Sequence, residues 1–198
     1  MKIIYGTTNL NKIVEMTKYF KDYQIDILSL KDIGFTEEIE ENGETFLENS
    51  MIKAQAVYKF CQEKHISYPI LTDDAGLCVH ALDDRPGVHT ARYAGDHAPQ
   101  MICLNKLMEE LKDKKDRSAT FYCGLTFVYN GEFIQVLGSK DGRIAKKIGK
   151  LGGFTFGPVF ILKGYRKPYN ELSDFETHRH NAVNKLIKIL EEKGVINS

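Results

Sequence analysis

Two adjacent carboxylates, Asp73 and Asp74, stand where the apolar run of residues 68–72 stops, and Ala75 and Gly76 follow at once. Hard oxygen donors at a strand end suit magnesium, which keeps several waters and substrate phosphates, so that one or two protein carboxylates are enough to hold it. The same four residues also read as an Asp-rich turn, because Asp bonds its own backbone. Strand alternation sends Asp73 and Asp74 to opposite faces, and Asp74 shares its face with Ile70 and Thr72. Upstream, Glu40 and Glu41 make a second acidic pair. Two such charges about 4 Å apart repel by roughly 4 kcal/mol at a surface-like dielectric. A divalent cation removes that cost.

Cations occupy places that need an explanation. Lys12 falls in the first turn of a predicted helix, where the positive end of the helix dipole disfavours it by a few tenths to about 1 kcal/mol. Uncapped amides after Thr7, Thr8 and Asn9 can bind an anion, and Lys12 beside them would neutralise a phosphate held there. The segment lacks the glycines of a Walker loop. His178, Arg179 and His180 repeat the anomaly behind Thr177, and the planar fork of Arg179 suits a phosphate or carboxylate. Thr45, Asn49 and Lys53 lie on one helical stripe spanning roughly 12 Å, which leans back toward Glu40 and Glu41. Each cation has a plainer alternative: solvated surface charge for Lys12 and Arg179, and a lysine snorkelling from a core edge for Lys53.

The elements that must position these groups follow from periodicity and capping signals. Residues 2–6 read as a short buried strand, and residues 9–20 as a helix with Leu10, Ile13, Val14 and Thr17 on one face. A second strand falls near residues 25–28. Thr45 and Glu48 form a capping-box pattern opening a helix to about residue 64, with Phe46, Ser50, Ala54, Val57 and Cys61 as its core face. Residues 68–72 form the strand that delivers the aspartates, and residues 99–111 another helix. Asn130-Gly131 between residues 120–129 and 132–138 is the strongest hairpin signal. A final helix carries Val183, Leu186, Ile187 and Leu190 as its buried stripe. Alternating helices and strands interrupted by a hairpin predict an α/β fold, an elongated mixed β-sheet flanked by helices, in two lobes with a central cleft.

Composition bounds the partners. The 198 residues suit one domain, 1–198, long enough to bury its own core. Lysine plus arginine and aspartate plus glutamate are 27 each, so no global field draws the chain to a nucleic acid polymer or an anionic membrane. Any polyanion site must be local. Cys61, Cys78, Cys103 and Cys123 show no zinc-like spacing and suit a reducing compartment. The start MKIIYGTTN lacks a signal peptide's apolar region, and no segment has the apolar length of a membrane span, so a cytoplasmic, soluble protein is expected.

Taken in order, TTNLNK at residues 7–12, EENGETFLENSMIKA at 40–54, TDDAGL, PGVHTARYAG, LGGFTFGPVF and THRHNA resemble the inosine triphosphate pyrophosphatase family over nearly the whole chain. These enzymes hydrolyse non-standard purine nucleoside triphosphates to monophosphate and pyrophosphate. The resemblance implies a two-lobed α/β fold, a homodimer and dependence on magnesium (Mg2+). It places Thr7, Thr8, Asn9, Asn11, Lys12 and Lys53 on the triphosphate, and Glu40 and Asp74 on the metal, Asp74 also serving as general base. Phe154 would stack on the base within the segment Phe154, Thr155, Phe156 and Gly157. His178 and Arg179 would contact the base's polar edge, and Ala75 lies at a substrate-contact position.

The departures concern the base. Thr8 replaces a family glycine, Ala75 a serine and His80 an acidic residue, while Gly157 stands where the family has an aspartate. The segment before His178 is short and lacks the family's lysine. Triphosphate cleavage is therefore expected to persist, with base specificity open to a shift. A nucleotide-binding module that senses without turnover is the alternative from another class, and retention of Glu40, Lys53 and Asp74 argues against it.

Overall fold

The computed structural model describes residues 1–173 and 175–197; Asp174, in the shortened segment before His178, lies outside the described residues. The chain divides into two compact units: Met1–Asp74, Cys123–Gly138 and His180–Ser198 form the first, and Ala75–Tyr122 with Ser139–Arg179 the second. The expected mixed α/β architecture is present. Its strands are β1 (Lys2–Tyr5), β2 (Asp26–Ser29), β3 (Ile70–Val79), β4 (Arg85–Pro86), β5 (Ser118–Tyr129), β6 (Glu132–Ile144) and β7 (Phe160–Leu162). They order as β2-β1-β3-β5-β6-β7, with β4 on β3. Helices α1 (Leu10–Phe20), α2 (Phe46–Glu63), α3 (Gln100–Glu110) and α4 (His178–Glu192) flank the sheet.

In the first unit β1 runs parallel to both β2 and β3, with Ile4 opposite Ile70 and Tyr5 opposite Leu71. Parallel strands are covered on both faces, and Ile3, Ile4, Tyr5, Ile70 and Leu71 are accordingly buried. The capping box of α2 is complete, because Thr45 Oγ1 accepts from the Glu48 amide while the Glu48 side chain accepts from the Thr45 amide. The five predicted core positions of α2 are all buried, joined by Asn49 and Phe60. Val183, Leu186, Ile187 and Leu190 of α4 are likewise buried. Asn130 and Gly131, at φ 50° and 79°, make the two-residue turn whose twist suits an antiparallel hairpin.

In the second unit a separate core gathers Leu77, Val79, Leu104, Leu107, Phe121, Phe156, Phe160 and Tyr169. β6 continues beyond residue 138 to pair antiparallel with β7, Gly142 opposite Leu162. Gly142 is obligatory, since a Cβ there would lie 2.3 Å from the Ile161 carbonyl oxygen.

Two expectations need correction. Residues 73–76 are not a turn, because β3 runs unbroken from Ile70 to Val79 and carries both aspartates in mid-strand. The α1 core face is not the Leu10, Ile13, Val14 and Thr17 stripe: Leu10 and Val14 are 75% and 57% exposed, and Met16 and Phe20 are buried. Their i, i+4 spacing defines the face that packs.

Candidate active site

The mid-strand aspartates persist because each meets a dedicated partner. Asp73 lies two residues beyond Leu71, the register partner of Tyr5, and therefore on the face Tyr5 shares. The Tyr5 hydroxyl donates to Asp73 Oδ1 at 2.7 Å, and Lys12 Nζ from α1 reaches Asp73 Oδ2 at 2.8 Å. Asp73 is fully buried. Gly6, next to Tyr5, permits the approach of β1 to β3, since its Cβ would stand 2.6 Å from Thr72 Cγ2.

The opposite face of β3 looks to α2. Thr72 donates to the Ser50 carbonyl at 2.6 Å, and one turn-position earlier Asn49 Nδ2 donates to Asp74 Oδ2 at 3.0 Å. Asn49 Oδ1 accepts from the Gly43 amide at 2.8 Å, which ties the acidic connector to the start of α2. Glu41, two residues before Gly43, sits 2.7 Å from Lys53 Nζ. The first unit thus assembles Glu41, Asp73 and Asp74 around Lys12 and Lys53.

The charges perturb one another. Burial pushes the Asp74 carboxyl above its ordinary range, opposed by Lys53 and the Asn49 bond and assisted by Glu41 and Asp73. For Lys53 burial is the largest influence and favours loss of the proton, but Asp73, Glu41 and Asp74 together outweigh it and hold the pKa above its usual value. Asp74 Oδ1 accepts no hydrogen bond among the described residues. A carboxylate oxygen that accepts no hydrogen bond, on a half-buried residue, is a hard donor for a cation or a proton.

Among the described residues no group of three His, Cys, Asp or Glu side chains comes together as a metal cage. The donor set still fits magnesium of the substrate-assisted kind, because carboxylate oxygens on one side leave the remaining positions to water and phosphate. Glu40 is exposed, whereas its neighbour Glu41 is the one turned to Lys53.

The loop before α1 is more occupied than expected. Asn9 caps the helix, its Oδ1 accepting from the amides of Asn11 at 3.0 Å and Lys12 at 3.4 Å, while Thr7 Oγ1 accepts from the Asn9 amide at 3.2 Å. The Asn11 and Lys12 amides are therefore capped, and only those of Thr8 and Leu10 in this loop and first turn have no hydrogen bond among the described residues. Thr8, Asn9 and Asn11 are exposed.

The second unit gathers the remaining expected residues. Phe154 is half-buried, with the Arg179 guanidinium 5.8 Å from its ring centroid and the His178 ring 5.7 Å away. His178 stacks on Phe121 at 4.7 Å. His178 and Arg179 are each 2% exposed. Thr155 is exposed and Ala75 half-buried in mid-strand, while Phe156 is a core residue packed edge-on against Tyr93. At Gly157 a Cβ would fall 2.0 Å from Asn170 Oδ1. Tyr5 and Asn170 stand outside the residues singled out from the sequence, and Asn49 enters there only as a member of a helical stripe. Asn49 lay in plain view on the Thr45–Lys53 stripe, but Tyr5 and Asn170 become visible only through long-range pairing.

The ordered motifs agree with the comparisons. The Ham1 family model matches residues 3–189. The chain belongs to the Ham1 family. It is 38% identical over 195 residues to a dITP/XTP pyrophosphatase of Bacillus subtilis, covering 95% of this chain and 96% of that protein. A dITP/XTP pyrophosphatase of Clostridium perfringens is 37% identical over 203 residues, covering 98% of each. Among solved structures, the Ham1 protein of Staphylococcus aureus superposes with a TM-score of 0.84 at 29% identity, covering 98% of this chain and 100% of that one. A HAM1 protein of Coxiella burnetii gives 0.82 at 31% identity, covering 97% and 99%. The Ham1 match spans both units, and no described helix is long and apolar enough to cross a membrane.

Proposed function

We propose that this Ham1 chain is a nucleoside triphosphate pyrophosphatase that hydrolyses non-standard purine nucleotides such as ITP, dITP and XTP to monophosphate and pyrophosphate, cleansing the nucleotide pool. The observation that carries this reading is Asp74, with one oxygen held by Asn49, no hydrogen bond on the other among the described residues, and the charge of Lys53 acting on it. Relatives named dITP/XTP pyrophosphatase along nearly the whole chain supply the substrate class.

Asp74 and the Glu40–Glu41 pair are the residues that would hold magnesium, which when bound polarises phosphoryl oxygens and lowers the pKa of a bound water. Lys12 and Lys53 would bind phosphate oxygens and stabilise the charge that develops as the α–β anhydride bond breaks. Thr7, Thr8, Asn9 and Asn11 would line the phosphate side with backbone and side-chain donors. Water oxygen bonds to phosphorus, its proton passes to Asp74 Oδ1, and pyrophosphate leaves.

Phe154 is assigned the base platform, with His178 and Arg179 as polar contacts and Ala75, Thr155, Phe156 and Gly157 as its surroundings. Gly157 and Ala75 favour a shifted base preference as the variant of this reading. A cytoplasmic homodimer completes it. The test is pyrophosphate release from a panel of nucleoside triphosphates with magnesium, beside Asp74→Asn. Turnover of inosine or xanthosine nucleotides that Asp74→Asn abolishes is expected; orthophosphate as the sole product, or tight binding without turnover, overturns the reading.

A further inference from the structure

The loop of residues 150–157 is held by two side-chain amides from elsewhere in the second unit. Gln100, the first residue of α3, donates from Nε2 to the carbonyls of Gly152, Phe154 and Thr155, each at 3.1 Å. Its Oε1 accepts from the Gly152 amide at 2.9 Å. Asn170, in the short 3-10 turn Tyr169–Glu171, donates from Nδ2 to the Gly152 carbonyl and, at 3.3 Å, to that of Lys150. Carbonyls along the loop therefore converge on two carboxamides.

The glycines of this loop make room for those amides. Gly152 and Gly153 have φ of +105° and +59°, which other residues rarely adopt. A Cβ at Gly153 would stand 2.9 Å from Asn170 Oδ1, and one at Gly157 only 2.0 Å from it. Asn170 thus fills the volume that a side chain at 157 would need. Phe154 lies between these glycines, and its own carbonyl is among those that Gln100 holds.

We propose that Gln100 and Asn170 are positioning residues for the nucleobase, acting through Phe154, and that Asn170 takes the space vacated at Gly157. The inference rests on the base-platform role given to Phe154. Four hydrogen bonds from Gln100 and two from Asn170 fix the backbone on both sides of the Phe154 ring, so the ring presents one face rather than sampling several. Loss of an amide leaves phosphate binding and cleavage intact and loosens base binding, which raises KM while sparing kcat. Asn170 and Gly157 act as one unit, so their substitutions are not additive.

The experiment compares the full-length protein with Asn170→Ala, Asn170→Asp, Gln100→Ala, Gly157→Ala and the double variant Gly157→Ala/Asn170→Ala, using pyrophosphate release with ITP and magnesium. Asn170→Ala and Gln100→Ala are expected to raise KM about tenfold with kcat within about twofold, the size of one or two lost hydrogen bonds. Asn170→Asp keeps the size but loses the donor, so it does not rescue. Gly157→Ala alone weakens binding, and adding Asn170→Ala makes it no worse. Unchanged KM, equal falls in kcat and stability, rescue by Asn170→Asp, or an additive double variant overturns the proposal. Hydrogen exchange at the Gly152 amide reads the clamp without turnover: faster exchange in Asn170→Ala and Gln100→Ala supports it, and unchanged exchange overturns it. Should the parent protein release no pyrophosphate from any nucleotide, the proposed function falls, and exchange alone decides the clamp.

Discussion

Lys12 Nζ and Asp73 Oδ2 stand 2.8 Å apart, joining the first turn of α1 to the middle of β3 with the carboxylate side chain at 1% exposure. Such a pair costs desolvation, and breaking it by removing one member leaves a buried charge uncompensated. Lys12 retains 25% exposure, so solvent moderates the penalty. Lys12→Met is expected to destabilise the fold by about 2 kcal/mol, read from urea unfolding. Tyr5→Phe removes the 2.7 Å bond to the same carboxylate and is expected to cost about 1.5 kcal/mol. A combined loss equal to the sum would show that the two contacts do not cooperate through Asp73, against expectation.

Asp74→Asn is expected to cut turnover by at least about a hundredfold while raising the stability of the metal-free protein at neutral pH. The sign follows from the raised pKa of Asp74 in the fold. A carboxyl whose folded pKa exceeds its unfolded value gives stability that is complete below the unfolded value, near 3.8, and lost as pH climbs through the folded one. At neutral pH the parent bears the whole cost of the buried charge, and Asn does not. Asn49 can still donate to the new amide oxygen. Thermal melts from pH 7 downward check this: the advantage of Asn should shrink in acid, and a variant less stable at neutral pH would refute the argument.

What the sequence disclosed and what it hid have separate physical causes. α2 was legible because its cap, stripe and length are local signals, and the Asn130-Gly131 turn because two positive φ angles demand those residues. The course of β3 was hidden. Two aspartates disfavour a strand on propensity alone, and only Tyr5, Lys12 and Asn49, brought in from distant positions, make the strand tolerable. On α1 the apolar stripe of Leu10, Ile13, Val14 and Thr17 leaves Leu10 and Val14 exposed, since periodicity ranks candidate faces without fixing which one packs. The acidic connector has no period at all, so nothing local separated Glu40 from Glu41. Only the contact with Lys53 does so.

Removing the cap of α2 tests whether the connector depends on it. Thr45→Ala deletes the acceptor for the Glu48 amide, 3.1 Å away, and is expected to cost about 1 kcal/mol. Because Glu48 also accepts from the Glu44 amide at 2.7 Å, the cap reaches toward the segment that carries Glu41. Chemical denaturation gives the energy, and hydrogen exchange at Glu44 should quicken. Slow exchange there would mean that the Gly43–Asn49 bond holds the connector by itself.

The thiols should be silent. Cys61, Cys78, Cys103 and Cys123 are all buried thiols outside any disulfide, and burial with the nearby Asp84 charge pushes the Cys78 pKa up to about 11. Only roughly one Cys78 side chain in ten thousand is then thiolate at neutral pH, and the thiolate is the nucleophile. The native protein is expected to leave an aromatic disulfide reagent unreacted at pH 7 and to titrate fully once unfolded. Rapid native labelling would place a thiol at the surface.

Lys53 is the ammonium on which the carboxylates depend. Its raised pKa means that the stability it contributes is complete below about pH 10.5 and lost only as pH rises through the folded value. Lys53→Met therefore costs the same throughout the neutral and mildly alkaline range, about 3 kcal/mol if Glu41, Asp73 and Asp74 stay charged. In acid the cost falls, because protonated carboxyls no longer need a counter-charge. Magnesium supplies a different test. If the same carboxylates hold a divalent cation, the metal can replace the lost positive charge, so millimolar magnesium should raise the melting temperature of Lys53→Met more than that of the parent. An equal rise in both would mean that the cation, wherever it binds, does not share the charge balance of Lys53, and Asp74 would then lose its claim to the metal.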